Sequence, residues 1–277
     1  MVSAIHAAKE RGLQLAHLWR PDSPVGNELL FDDERTGART CEFETLFEPI
    51  PFFPSFQLQD VSVRLLYEEQ NPYFHRDLNV VDEVAYAFAK FQYHGPITEE
   101  HLADVDALLV LTSLNFPVSP AQKVELYKRH FKPREHYLEE LKTKAECLDG
   151  KWLAVHLRTQ VREAFGIPEW KLEDVVRETE KVLAHASFDR IVVFSDSPEI
   201  RHEFGLQRFG DLPVCSIEWG GERGFEAMFL DFLAISKAAF VISSGVSSFS
   251  YEASLFGGGV PFFDLCRGLL LPTPTPS

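Results

Sequence analysis

Residues 152–159 read Trp152-Leu153-Ala154-Val155-His156-Leu157-Arg158-Thr159. Six residues with one histidine among apolar neighbours, then Arg and Thr at once, describe a strand buried on both faces that ends in a polar tip. The sequence downstream keeps this pattern. Residues 172–185 carry apolar side chains at helical spacing, and 190–195, Arg-Ile-Val-Val-Phe-Ser, form a second strand. Ser197-Pro198-Glu199 opens a helix, because the fixed φ of proline suits a first helical turn. A strand follows at 213–217, a helix at 225–237, a strand at 239–243, a helix at 250–256 and a closing strand within 258–263. Strands alternating with helices predict a parallel sheet covered on both faces.

Upstream, residues 119–147 are helical in pattern and charged, with one break at Pro133, and Asp149-Gly150 ends them as a domain connection. Residues 61–67 and 107–112 are candidate strands, and 47–56, rich in Pro and Phe, is a loop expected to pack on a core. Residues 1–11 read as a helix leading directly into a strand at 13–19, an order that lacks the opening strand of an α/β winding. The expected organisation is an N-terminal α/β domain with its connection over 1–149, a C-terminal α/β domain over 150–268, and a disordered tail over 269–277.

Composition narrows the function classes. A chain of 277 residues suits two modest cores, and 45% hydrophobic with 25% charged residues is ordinary for a globular protein. A formal charge of −15 argues against nucleic acid as the partner, since that grip needs a basic face. Cys41, Cys147, Cys215 and Cys266 are scattered, with no metal-binding spacing, and three of them sit in or beside apolar stretches, where they read as buried free thiols. No stretch is apolar for the length a membrane helix needs, and no signal-peptide core opens the chain. The expected location is the cytoplasm, or the Golgi or ER lumen if an upstream anchor has been lost.

In such sheets ligands bind beyond the carboxyl ends of the strands. Those ends deliver His156, Arg158 and Thr159 from the first strand, Ser195 and Asp196 from the second, and Ser243, Ser244, Gly245, Ser247 and Ser248 from the fourth. A small-residue, hydroxyl-rich loop before a helix suits a phosphate, and an Arg fork can neutralise and orient one. The serine loop alone is equally a helix cap; loop and Arg158 together at the ends of one sheet point to a ligand. His156 by itself reads as a satisfied half-buried histidine, and Asp196 as the cap of the helix at Pro198. Asp231, inside the apolar helix Met228-Phe229-Leu230-Asp231-Phe232-Leu233, needs a donor partner: a ligand base, an Arg or backbone amides. Asp104-Val105-Asp106 precedes its strand and reads as a turn or cap, not a metal site. Gly245-Val246-Ser247-Ser248-Phe249 lacks the closing Gly of a nucleophile elbow, and no His follows His202, so a hydrolase is rejected. Gly257-Gly258-Gly259 ends a helix and is not a dinucleotide fingerprint.

Ala154-Val155-His156-Leu157-Arg158 resembles the H-x-R strand end of the GDP-fucose-dependent fucosyltransferases of the protein O-fucosyltransferase and α1,6-fucosyltransferase group. Residues 231–249, DFLAISKAAFVISSGVSSF, resemble the second signature of that group, an Asp-bearing helix leading through a strand to an S-x-F loop. The likeness is good over about residues 150–262 and thin over 3–48. It implies an α/β, GT-B-like architecture of two Rossmann-like domains with parallel sheets, the N-terminal one shortened at its front. It implies a nucleotide sugar, GDP-fucose, as donor substrate on the C-terminal domain, a glycan or protein acceptor on the N-terminal side, and neither metal nor cofactor. Residue by residue, it implies that Arg158 binds the diphosphate and assists departure of GDP, as the catalytic residue. His156 would line the same pocket, and Asp231 would accept from the guanine N–H groups. Ser247, Ser248 and Phe249 would contact the phosphates and the sugar or base. The Gly-rich N-terminal motif of the group and its final crossing helix are not found in the chain. Thr159 and Val161 stand where the α1,6 branch has a second Arg and an Asp. Glu163 and Glu169 are candidate bases. Inverting transfer of fucose is the expected activity. The alternatives are a non-catalytic nucleotide- or glycan-binding relative, or a transferase of another sugar nucleotide.

Overall fold

The computed structural model describes residues 46–48, 63–66, 107–110, 119–159, 170–219, 224–245 and 248–271. The chain divides into two compact units, residues 1–45 with 49–118, and residues 46–48 with 119–277. In the first, strands β1 (Val63–Leu66) and β2 (Ala107–Val110) pair in parallel. The helix and strand expected within residues 1–19 lie outside the described residues, as does Asp104-Val105-Asp106.

The second unit is built on a six-stranded sheet: β3 (Trp152–Leu157), β4 (Arg190–Ser195), β5 (Val214–Ser216), β6 (Phe240–Ser243), β7 (Phe262–Asp264) and β8 (Leu269–Leu271). Their spatial order is β5-β4-β3-β6-β7-β8, parallel except for the antiparallel pair β7–β8. The helices are α1 (Pro120–His130), α2 (Glu135–Lys142), α3 (Ala145–Leu148), α4 (Leu172–His185), α5 (Pro198–Gly205), α6 (Gly224–Ile235) and α7 (Ser248–Phe256). Helices α1 to α3, placed with the N-terminal domain by the sequence reading, group with this sheet.

Every residue of β3 is buried, so its period of two fills two cores. Leu153, Val155 and Leu157 pack with Ile191, Val193, Val175 of α4 and Phe204 of α5. On the opposite face Trp152 meets Phe194 at 6.2 Å between ring centroids, and His156 reaches Ser250 of α7. Each fully buried Leu, Ile, Val or Phe of this kind contributes roughly 1.5–3 kcal/mol.

An aromatic cluster gathers α1, α2, α6 and α7. Phe47 lies 5.0 Å from Phe229 and 5.6 Å from Phe131, and Phe232 lies 5.3 Å from Phe256. Phe47 thus packs as the loop reading anticipated; residues 49–56 lie outside the described residues. Helix α1 is tied to α7 by an ion pair between Lys123 and Glu252, and the Tyr127 hydroxyl donates to the same carboxylate at 2.6 Å. Burial, then the Glu252 charge, pushes the Tyr127 hydroxyl well above its ordinary range.

Three details differ from the sequence reading. The closing strand is shorter than 258–263, because Gly258 and Gly259 have φ of 96° and 94°, a left-handed backbone that turns the chain before β7. Leu269–Leu271, assigned to the disordered tail, pairs with β7 as β8. Cys147, Cys215 and Cys266 are free thiols but half-buried, not buried.

Gly257 sits where α7 ends against the end of α6, and a Cβ there would run into the Ser236 carbonyl oxygen. Gly257→Ala is expected to lose about 1–3 kcal/mol in denaturant unfolding through forced backbone movement. Gly205→Ala, where a Cβ meets nothing, is the control, neutral or stabilising by up to about 1 kcal/mol.

Candidate functional site

From β3 the winding moves outward through β4 to β5, and from β6 it moves the other way to β7. The reversal falls between β3 and β6, and ligands of doubly wound sheets occupy the crevice at that point, beyond the strand ends. The residues at those two ends are Arg158-Thr159 and Ser243-Ser244-Gly245.

Ser244 joins them. Its amide donates to the His156 carbonyl at 3.0 Å, continuing the β3–β6 ladder by one residue. Its hydroxyl accepts from the Arg158 amide at 2.9 Å. The neighbouring strand end supplies Asp196, which accepts from the Thr159 amide at 2.8 Å and the Thr159 hydroxyl at 2.6 Å through one oxygen. The other oxygen of Asp196 lies 3.4 Å from Arg158 Nε. The Trp170 indole donates to the Arg158 carbonyl at 3.1 Å. Arg158 is therefore positioned through its amide, its carbonyl and its guanidinium, while its side chain keeps 29% exposure. A cation so held is suited to meet an anion arriving from solvent.

Asp196 does not cap α5. The cap is Ser197, whose hydroxyl accepts from the Ile200 amide at 3.2 Å. Both residue types cap helices well, and the cation and hydroxyl across the strand pair claim the aspartate.

His156 lies inside, 5% exposed, with Nδ1 3.1 Å from Ser250 Oγ. Ser250 donates to Ser243 Oγ at 3.2 Å, and Ser243 donates to the Gly245 carbonyl at 3.0 Å. A carbonyl only accepts, so the whole relay runs one way and the Nδ1 proton belongs to His156. Burial, then the nearby Arg158 charge, pushes the imidazole down to about 4, against a smaller pull from Asp196. The neutral histidine braces the loop before α7, and its ring lies 5.6 Å from that of Phe249.

Of the residues singled out in the sequence, His156, Arg158, Phe249 and the first residue of α7, Ser248, converge on this sheet end. Ser247 lies outside the described residues, and so do Glu163 and Glu169. Asp231 stands on α6 beside this group: Phe232 next to it meets Phe249 at 5.6 Å. Its donor partner is Trp219, whose indole N–H reaches Oδ1 at 2.7 Å. Asp196 and Ser244 stand at the strand ends where the sequence reading put them, but their roles differ: Asp196 holds Arg158 and Thr159 and does not cap a helix, and Ser244 accepts from the Arg158 amide. Trp170 is a contributor the sequence reading did not name, and nothing local distinguishes it.

Among the described residues no helix is long and apolar enough to cross a membrane. The fold is an α/β, GT-B-like one, as the comparison with solved structures makes plain. The fucosyltransferase NodZ from Bradyrhizobium superposes with a TM-score of 0.61 at 18% identity, over 99% of this chain and 93% of that one. NodZ α-1,6-fucosyltransferase co-crystallised with GDP gives 0.59 at 19% identity, over 95% and 89%. The same enzyme soaked with GDP-fucose gives 0.59 at 19%, over 99% and 93%. No protein-family model matches the chain, and no curated protein matches it in sequence.

The buried neutral His156 has a measurable consequence. Between pH 6.5 and about 4 the unfolded chain protonates this histidine and the folded one does not, so stability falls as pH drops through that window. The full effect is roughly 3 kcal/mol. Asp231, raised to about 6, works in the opposite sense below that pH. The comparison is therefore parent against His156→Gln in urea unfolding from pH 7 to 4. The variant is expected to lose the histidine's part of the slope, and an unchanged slope would refute the neutral assignment.

Proposed function

We propose that the chain is a metal-independent glycosyltransferase of the GDP-fucose-dependent fucosyltransferase group, transferring the sugar with inversion to a hydroxyl of a glycan or protein. The observation that carries the reading is Arg158, positioned from three sides at the switch point of a fold shared with NodZ. One NodZ structure contains GDP, and another was soaked with GDP-fucose.

In this reading the diphosphate meets the Arg158 fork, with backbone N–H groups of the first turn of α7 as further donors. The acceptor hydroxyl gives its proton to a base, for which Glu163 and Glu169 are the candidate carboxylates, and its oxygen forms a bond to the anomeric carbon on the face opposite the leaving group. The anomeric C–O bond to the β-phosphate breaks, and its electron pair leaves with GDP. Charge develops on the departing phosphate oxygen, where a fixed cation and oriented N–H dipoles lower the barrier most. Arg158 is the catalytic residue in that sense. Asp196 keeps its fork oriented, His156 braces the loop, Ser247, Ser248 and Phe249 line the donor, and Asp231 accepts from the base.

A second reading, a nucleotide- or glycan-binding relative without transfer, draws on Thr159. This residue follows the H-x-R segment and engages Asp196 through both its amide and its hydroxyl. It therefore offers no second cation to the phosphate.

Thermal unfolding with GDP, GDP-fucose, GDP-mannose, UDP, UDP-glucose and ADP separates the readings. A ligand at about 100 times its Kd adds about 2.7 kcal/mol and moves the midpoint by several degrees. Shifts confined to GDP and GDP-fucose are expected, and Arg158→Ala should abolish them while leaving the unliganded midpoint within about a degree or two of the parent. Transfer from GDP-fucose should persist in a metal chelator. The absence of any nucleotide shift would overturn the donor assignment, and binding without transfer to any acceptor would favour the second reading.

A further inference from the structure

Asp231 is half-buried on an apolar helix, with Trp219 on one carboxylate oxygen at 2.7 Å. Among the described residues its second oxygen, Oδ2, accepts no hydrogen bond. Arg201 of α5, whose charge acts on Asp231, is itself fixed by two carbonyls: it donates to Ser195 at 2.5 Å and to Ile217 at 3.2 Å. Ser195 closes β4 immediately before Asp196, and Ile217 follows β5 two residues before Trp219. The same β4 end therefore anchors Arg158 through Asp196 and the Asp231 support through Arg201.

Asp231 Oδ2 is not among the buried atoms left without a partner, so this oxygen is open to a donor from outside the protein. Here one oxygen is committed to a rigid indole and the other is left available. The indole fixes the rotamer of a carboxylate that would otherwise rotate.

We propose that Trp219 is a specificity-determining positioning residue. It holds Asp231 Oδ1 so that Oδ2 is presented to the adjacent N–H donors of a guanine-type base, and it thereby selects GDP over ADP. This rests on the reading above, that the site takes a guanosine diphosphate donor. Adenine offers no such donor pair, and an ionised carboxylate facing its bare ring nitrogen would be repelled.

The protonation of Asp231 supplies a readout that a purely structural tryptophan would leave unmoved. Burial raises its carboxyl to about 6, and the Trp219 hydrogen bond and the Arg201 charge oppose the rise. Among the described residues Arg201 is the charged group that acts on it. Helix α7 presents Phe249 to this end of α6 through Phe232, and α2 presents Tyr137 through Phe229, both uncharged near neutral pH. Acceptance from guanine needs the carboxylate, so selectivity for GDP should fall as pH drops through about 6. Loss of the Trp219 bond removes a stabiliser of the ionised form and moves that fall to higher pH.

The experiment is calorimetric titration of GDP and ADP into the parent, Trp219→Phe and Asp231→Asn between pH 5.5 and 8. The quantity compared is the ratio of the two affinities, in which titration of the diphosphate itself cancels. Trp219→Phe is expected to lower the GDP/ADP ratio at pH 7.5 about tenfold, the effect of one charge-assisted hydrogen bond, and to move the acid midpoint of that ratio upward. ADP affinity should stay within about twofold of the parent, which also reports that the variant is folded. Asp231→Asn should remove the acid limb altogether. A Trp219→Phe protein with the parent's ratio and midpoint overturns the positioning role, and so does an acid limb that survives in Asp231→Asn. A parent that binds ADP as tightly as GDP, or binds neither, fails earlier and overturns the donor reading itself.

Discussion

The tips of β3 and β6 are joined through one residue, with the Ser244 amide on the His156 carbonyl and the Ser244 hydroxyl on the Arg158 amide. Strand β3 is buried on both faces, so polar groups at its end cannot turn to water until the chain leaves the sheet. The backbone amide at 244 would keep the His156 carbonyl paired whatever the side chain, but without the serine hydroxyl the Arg158 amide would lose its acceptor, at a cost of about 1–3 kcal/mol. With it, the two strand ends on either side of the switch point are locked in register, and Arg158 leaves the sheet in one direction. The rest of the site is arranged around that exit: Trp170 on the Arg158 carbonyl, Asp196 on its guanidinium, His156 and Ser250 under the loop opposite.

The electrostatics follow from the same arrangement. The chain carries a formal charge of −15, yet the crevice exposes a cation. Asp196 is far less exposed than its partner and gives both its oxygens to the β3 tip, so it holds the arginine without screening it fully from solvent. The adjacent histidine stays neutral because protonation would place a second positive charge inside a buried relay of hydroxyls. Among the described residues a part-exposed cation, a neutral brace and the first turn of a helix make a setting that suits an anionic group.

The sheet of the second unit was readable because its strands are dense in Val, Ile, Leu and Phe and are separated by strong helix signals. The bounds of β3 and β4 are the ones read from the sequence. Reading failed where local chemistry was ambiguous. Three leucines after Gly268 are too short a run to distinguish a strand from a frayed end, and only pairing with β7 makes them β8. Two helix-capping residues stand side by side at 196 and 197, and the choice between them is made by Arg158 and Thr159 across the β3–β4 pair. The site shows the same division. His156, Arg158 and the serine loop could be recognised as polar residues at strand ends, whereas their partners are distant in sequence. Ser244 meets Arg158 across 86 positions, and nothing in its own neighbourhood announces that role.

The central claim is that the diphosphate of a guanine nucleotide sits at the β3 and β6 tips, and a crystal structure of the protein with GDP tests it most directly. The account predicts density for the β-phosphate within hydrogen-bonding distance of the Arg158 guanidinium and the first amides of α7, with the base beside Asp231. GDP bound with its phosphates away from Arg158, or no bound nucleotide at saturating GDP, would contradict it.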